Sequence, residues 1–142
     1  MMVMMLVKAT EQTEAGQKPT DEALVAMHDF NEELRKAGVL LDLAGLTPMS
    51  RGARVRYTRS TCKVIDGPFA EAKEVVAGYS LIEVKTFAEA IEWARRAPFN
   101  LLVPEGAEVE VELRPLFDPT EFDVPGEAEE RAKRLGEKPG KV

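Results

Sequence analysis

A chain of 142 residues, 44% of them hydrophobic and 31% charged, has the size and composition of one folded domain with its own core, which excludes a disordered segment. Its formal net charge of −6 argues against a general nucleic-acid binder, because phosphate is repelled wherever no local basic cluster compensates. The single cysteine, Cys62, excludes an intrachain disulfide and a Cys-x-x-Cys zinc site, and it fits a reducing cytoplasm, the expected compartment.

The opening run MMVMMLV is too short to cross a bilayer and lacks the basic leader and small-residue cleavage site of a signal peptide, so no membrane partner is expected. It predicts a strand over Met2 to Lys8. Val3, Met5 and Val7 on one side and Met4 and Leu6 on the other are all apolar, the pattern of a strand covered on both faces. The stretch ATEQTEAGQKP reads as a polar loop. Thr20 then precedes DEALVAMHDFNEELRKAG, which predicts a helix capped by Thr20, with acids in its first turn and Gly38 at its end. Its buried stripe is expected at Ala23, Met27, Phe30, Leu34 and Ala37.

VLLDLAGL leads into the turn cluster TPMSRG, and Ala53 to Tyr57 and TCKVI follow as short strands paired in a hairpin. Arg54, Arg56 and Tyr57 alternate as on a solvated sheet edge, a reading preferred to nucleic-acid contact. Ala77 to Lys85 predicts a strand with Tyr79, Leu81 and Glu83 on one face and Ser80, Ile82 and Val84 on the other. TFAEAIEWARRAP predicts a helix in which Thr86 caps, Glu89 completes a capping box and Pro98 closes. Phe87, Ala90, Ile91 and Ala94 form its apolar stripe, with Trp93 toward the edge. Ala107 to Leu116 alternates Val109, Val111 and Leu113 with Glu108, Glu110 and Glu112, as a half-buried strand near a sheet edge does. Residues 1–117 are therefore expected to form the domain, and residues 118–142 a charged extension that includes EAEERAKRL, able to form a short surface helix.

The order strand, helix, hairpin region, strand, helix, strand predicts an α+β fold of the ferredoxin-like, split β-α-β type, with both helices on one sheet face. The other face is left bare and apolar, which soluble monomers seldom tolerate. A second copy of the chain is the expected cover, hence a homodimer.

Several residues could carry chemistry. Asp66-Gly67-Pro68 is turn chemistry: Asp accepts from the backbone ahead, Gly supplies an unusual φ, and Pro fixes its own φ. A turn does not require Phe69, Glu71, Lys73 and Glu74 after it, so the loop is either solvated packing or a place where a ligand is held. His28 is the only histidine. It lies at the border of its helix stripe with Glu32 one turn later, and reads either as a boundary histidine or as a general acid or base reaching a pocket at the helix–sheet seam. Glu83 interrupts an apolar strand and is either a pocket carboxylate or a solvated group near the strand end. Cys62 reads as a small packed residue in preference to a nucleophile. With no phosphate loop, dinucleotide glycine pattern, metal-ligand spacing or nucleophile elbow, neither cofactor nor metal is expected.

VIDGPFAEAKEVVAGYSLIEV, with FNEELRKAGVLL before it and AEAIEWARRAP after it, resembles the YCII-related family and within it the DGPF-domain subgroup. The likeness runs from the opening strand to about Leu116 and is carried by Asp66 to Glu71 followed by Lys73 and Glu74; Ala72 stands where the subgroup usually has Thr. The resemblance implies a dimeric α+β barrel of ferredoxin-like protomers. Some relatives are suspected enzymes in which a His and an Asp meet in a cleft, and others are fused to or found beside sigma factors. Asp66 matches the motif directly, and His28 falls in the neighbourhood of the family histidine. The leading expectation is a homodimer with a small-molecule pocket near the DGPF loop. Asp66, His28 and Glu83 would carry protons in metal-free lyase- or isomerase-type chemistry, and Gly67, Pro68, Phe69, Glu71, Lys73 and Tyr79 would touch the ligand. The competing expectation is a non-catalytic binding or regulatory module, linked to transcription initiation through protein contacts.

Overall fold

The computed structural model describes residues 1–67, 74–118, 121, 126, 130 and 133–135. In chain order the elements are β1 (Met2–Lys8), α1 (Glu11–Glu14), α2 (Asp21–Lys36), β2 (Leu40–Gly45), β3 (Ala53–Tyr57), β4 (Cys62–Asp66), β5 (Val76–Glu83), α3 (Phe87–Arg96) and β6 (Val111–Pro115). Short 3-10 helices occupy Met49–Arg51 and Phe99–Leu102. Four strands form one sheet in the order β2-β5-β1-β6, and β3 and β4 form a separate two-stranded sheet. Every pair is antiparallel. The architecture is mixed α+β, and the four-stranded sheet is open among the described residues, not closed into a barrel.

The period-2 alternation of β1 sorts the whole sheet. Val3 and Met5 are fully buried and stand opposite Ile82 and Ser80 of β5 and Pro115 and Leu113 of β6. On this side Val3, Met5 and Ile82 join Phe30, Leu34 and Ala90 in one core cluster. Side chains of this kind contribute about 1.5–3 kcal/mol each when fully removed from water. Met2, Met4 and Leu6 point the other way with Tyr79, Leu81 and Glu83, and none of these six belongs to the core cluster. In the single chain this face of β1 is half-buried.

α2 forms where its signals place it. Thr20 Oγ1 accepts from the Ala23 amide at 3.2 Å, acids occupy the first turn and Arg35 and Lys36 the last, so both ends suit the helix dipole. Gly38 follows with φ of 72°, the left-handed position glycine tolerates best. Two members of the expected stripe differ. Ala37 is the exposed C-cap, beyond the last helical residue, and Met27 is only half-buried because it borders a cavity.

α3 is rotated relative to the expected stripe. Ala90, Trp93, Ala94 and Ala97 face the core, an i, i+3, i+4, i+7 set, while Phe87 and Ile91 are exposed. The small Ala90 lets the helix approach closely, and Trp93 meets Phe30 edge-on with ring centroids 6.3 Å apart. Arg96 lies 4.6 Å over the Trp93 ring and donates to Glu33 at 2.7 Å, tying α3 to α2. Thr86 caps as expected, but Glu89 accepts from the Lys85 amide, not from Thr86, so the box closes one residue early. The segment read as a polar loop contains α1, one helical turn whose Thr10 and Thr13 side chains cap each other's backbone amides.

The β3–β4 hairpin stands away from the core. Val55 pairs with Val64 and Tyr57 with Cys62, and all four side chains are exposed. Its base is held where Gly67 donates to the Gly52 carbonyl at 3.0 Å. Gly67 does not adopt the positive φ expected of it. A Cβ there would instead lie 2.0 Å from the Met49 carbonyl oxygen and 3.1 Å from that of Gly52, so glycine is required by close backbone approach. Gly67→Ala should therefore lower stability by about 2 kcal/mol or more, an overpacking cost with no flexible atom to yield. Asp66→Asn, on an exposed residue, should leave the urea midpoint unchanged; equal losses for both would mean the loop needs the Asp66 charge for folding.

Candidate functional site: a cavity at the helix–sheet seam

A cavity of about 490 Å³ lies between the start of α2 and the end of the sheet where β1 and β2 finish and β5 begins. Its origin is a run of missing side chains. Gly45 of β2 stands opposite Gly78 of β5, which in turn stands opposite Val7 of β1, all on the face that carries the core. Two residues further along the strands, Leu43 and Ser80 occupy the same positions. A Cβ on Gly78 would come within 2.9 Å of the Ala44 carbonyl, so the strands are drawn together there, whereas a Cβ on Gly45 would meet nothing within 4 Å. The floor is therefore bare backbone, and the roof is completed by Met27 and Asn31 of α2 and by the 3-10 helix Phe99–Leu102 with Val103 and Pro104. The α1–α2 connection supplies a rim of Gln17, Lys18, Pro19 and Thr20. This size lies within the ~300–1,000 Å³ typical of small-molecule sites.

The residues singled out from the sequence are not gathered around this cavity. His28 is exposed on the outward side of α2; one residue is a rotation of about 100°, and it is Met27 that turns toward the cavity. Glu83 is half-buried on the opposite, open face of the sheet, paired in register with Met2. Asp66 is exposed at the end of β4, at the base of the hairpin. Gly67 is described above, while Pro68, Phe69, Glu71 and Lys73 lie outside the described residues. Of the expected ligand contacts, Tyr79 contributes to the cavity lining, although its side chain alternates to the other sheet face with Leu6 and is held there by Asp42.

Asp42 went unremarked in the sequence, although a carboxylate inside VLLDLAGL is the same kind of interruption as Glu83. Its Oδ2 accepts from the Tyr79 hydroxyl at 3.1 Å and its Oδ1 from the Leu43 amide at 2.9 Å. The hydrogen bond to this carboxylate, reinforced by its charge, holds the Tyr79 phenol above the ordinary tyrosine pKa. Tyr79 is thereby kept protonated and pointed at a neighbouring strand, a positioning contact diagonal across β2 and β5.

The far end of the DGPF loop is also anchored. Glu74 adopts φ of 65°, the one non-glycine residue with positive φ among those described, and its carboxylate accepts from Lys8 Nζ. Lys8 also lies 3.5 Å from Glu112 of β6, with its side chain largely covered. The hydrogen bond to Glu74 raises the Lys8 ammonium above its ordinary pKa, and the same bond holds the Glu74 carboxyl below the usual value. Residues 68–73 are thus entered at Gly67, packed on Met49, and left at Glu74, tied to the end of β1.

The YCII-related domain matches residues 1–115. The chain belongs to the YCII-related family. An uncharacterised protein of Rhizobium meliloti (strain 1021) is 35% identical over 113 residues, covering 78% of this chain and 88% of its own length. In this YCII-related chain, no described helix is long and apolar enough to cross a membrane. No group of three or more His, Cys, Asp or Glu among the described residues is placed to hold a metal ion.

The Lys8–Glu74 tie has a pH signature. Glu74, with a lowered pKa, contributes stability present above the ordinary carboxylate value of about 4.3 and lost as pH falls through its folded value; Lys8, with a raised pKa, contributes below about 10.4 and loses it as pH rises. The melting temperature of the parent should exceed that of Lys8→Met near pH 7, and the gap should shrink on going to pH 3. A gap that stays constant would assign the Lys8 contribution to its covered methylenes alone.

Proposed function

We propose that this YCII-related chain is a small-molecule-binding protein whose site is the helix–sheet cavity, and that it works as a homodimer. The observation that carries the binding reading is the cavity of about 490 Å³, walled by Met27, Leu43, Phe99, Leu101, Leu102 and Val103 and floored by glycine backbone. The sheet order β2-β5-β1-β6 with a helical crossover after β1 and another after β5 supports a ferredoxin-like protomer. Met2, Met4 and Leu6, half-buried on the face away from the helices, support pairing of two such sheets as a dimeric α+β barrel. Acid–base chemistry through Asp66, His28 and Glu83 would need the partner subunit or residues 68–73 to unite three separate surfaces, so this reading stops at binding.

A second reading, as an interaction module, is favoured by the β3–β4 hairpin. Residues 51–65 hold five of the 19 basic side chains and none of the 25 acidic ones, and expose the Val55–Val64 pair. Two-stranded hairpins are marginal in water alone, which favours a surface that covers this one.

Two measurements test the leading reading. The neutral, environment-sensitive dye prodan should bind the parent with a blue shift and should fail to bind Gly45→Leu, whose side chain fills the cavity, at an unchanged melting temperature. Prodan binding to both equally would remove the cavity as the site. Light scattering at micromolar concentration should give a dimer, and Met4→Glu, at the centre of the open face opposite Leu81 and Arg114, should give a folded monomer. A monomeric parent would end the dimer reading, since an interface of the usual ~1,200–2,000 Å² holds at that concentration.

A further inference from the structure

The chain carries 25 acidic side chains, yet none of the residues lining the cavity is Asp or Glu. Its lining contains one basic side chain, Lys18, together with the amides of Gln12, Gln17 and Asn31 and the hydroxyls of Thr13, Thr20 and Ser80. Lys18 sits on the α1–α2 connection and makes no ion pair among the described residues. Apart from Asn31, the roof is apolar, built from Met27, Phe99, Leu101, Leu102, Val103 and Pro104. A cavity that excludes carboxylates from an acidic protein, while keeping one ammonium beside neutral donors, is complementary to a particular kind of ligand.

We infer that the cavity takes a monocarboxylate with an apolar body, its carboxylate paired with Lys18 and its body lying against Met27, Phe99 and Leu101. This rests on the cavity being the binding site, as proposed above. One cation matches one negative charge. A phosphate monoester would bring a second charge with no counter-ion in the lining, and burying an uncompensated charge is costly. A cationic ligand would face Lys18 with no carboxylate to pair with. Neutral amides and hydroxyls serve the second carboxylate oxygen, which accepts hydrogen bonds only. The apolar walls supply the affinity and the ammonium supplies the selection, the usual division in such sites.

The test uses the full chain and three probes of one shape: 4-phenylbutanoate, 4-phenylbutanamide and 4-phenylbutylamine, each titrated as a competitor of prodan. The acid should bind at least about fivefold more tightly than the amide, the order expected of a charge-assisted contact in a partly open site, and the amine most weakly. Lys18→Gln should bring acid and amide to equal affinity, each read against the variant's own prodan affinity, and raising the salt concentration should weaken the acid alone. Equal binding of acid and amide by the parent would overturn the inference, as would a preference that survives Lys18→Gln. If prodan is excluded by Gly45→Leu but is not displaced by the acid, the cavity remains the site and the carboxylate assignment falls. If prodan ignores Gly45→Leu, the cavity reading falls and this one with it.

Discussion

The alternation of β1 is the constraint on which the rest of the structure depends. β1 is one of the two inner strands, with β5 and β6 as neighbours, so its side chains help decide what each face of the sheet must meet. Val3 and Met5 demand cover and receive it from Phe30 and Leu34 of α2 and Ala90 of α3. Met2, Met4 and Leu6 are equally apolar and lie outside that core cluster. A one-residue slip would exchange the two sets without relieving the second, because both are apolar. The half-buried face is thus a consequence of composition on a single strand.

The cavity follows from the opposite kind of choice, the removal of side chains. Where Gly45 faces Gly78 the sheet presents backbone, and a helix packed on it at the distance set by Leu43 and Leu34 cannot collapse onto that floor. The α1–α2 connection and the Phe99–Leu102 turn then close the sides. Stability lost by leaving this volume unfilled is offset by the dense packing around Leu34 and Ile82, both fully buried. Core and cavity share one layer, so a substitution meant to probe binding must be chosen where it fills space, as at Gly45, and not where it displaces backbone, as at Gly78.

The DGPF loop has a structural role at both of its described ends. Gly67 is fixed by contact with Met49, which is itself held by Glu14 through a 3.1 Å hydrogen bond from its backbone amide. Glu74 holds a strained backbone angle against the Lys8 ion pair. Its described ends thus lie against Met49 on one side and against Lys8, at the end of β1, on the other.

Much of the fold was legible in the residues. Thr20 and Thr86 announced helix starts, Gly38 a helix end, and the opposing faces of β5 could be assigned from Tyr79, Leu81 and Glu83 against Ser80, Ile82 and Val84, because capping and alternation are local. What failed depended on distance in the chain. The rotation of α3 that buries Trp93 in place of Phe87 and Ile91 is set by Phe30 on another helix, and the reason for Gly67 is a carbonyl 18 residues away at Met49. The family is written in the sequence, in the run from Asp66 to Glu74 and its flanks. The candidate site is not, because Gly45, Gly78, Met27 and Lys18 carry no motif of their own. They become a cavity only when antiparallel pairing sets two glycines side by side and a helix passes over the gap they leave.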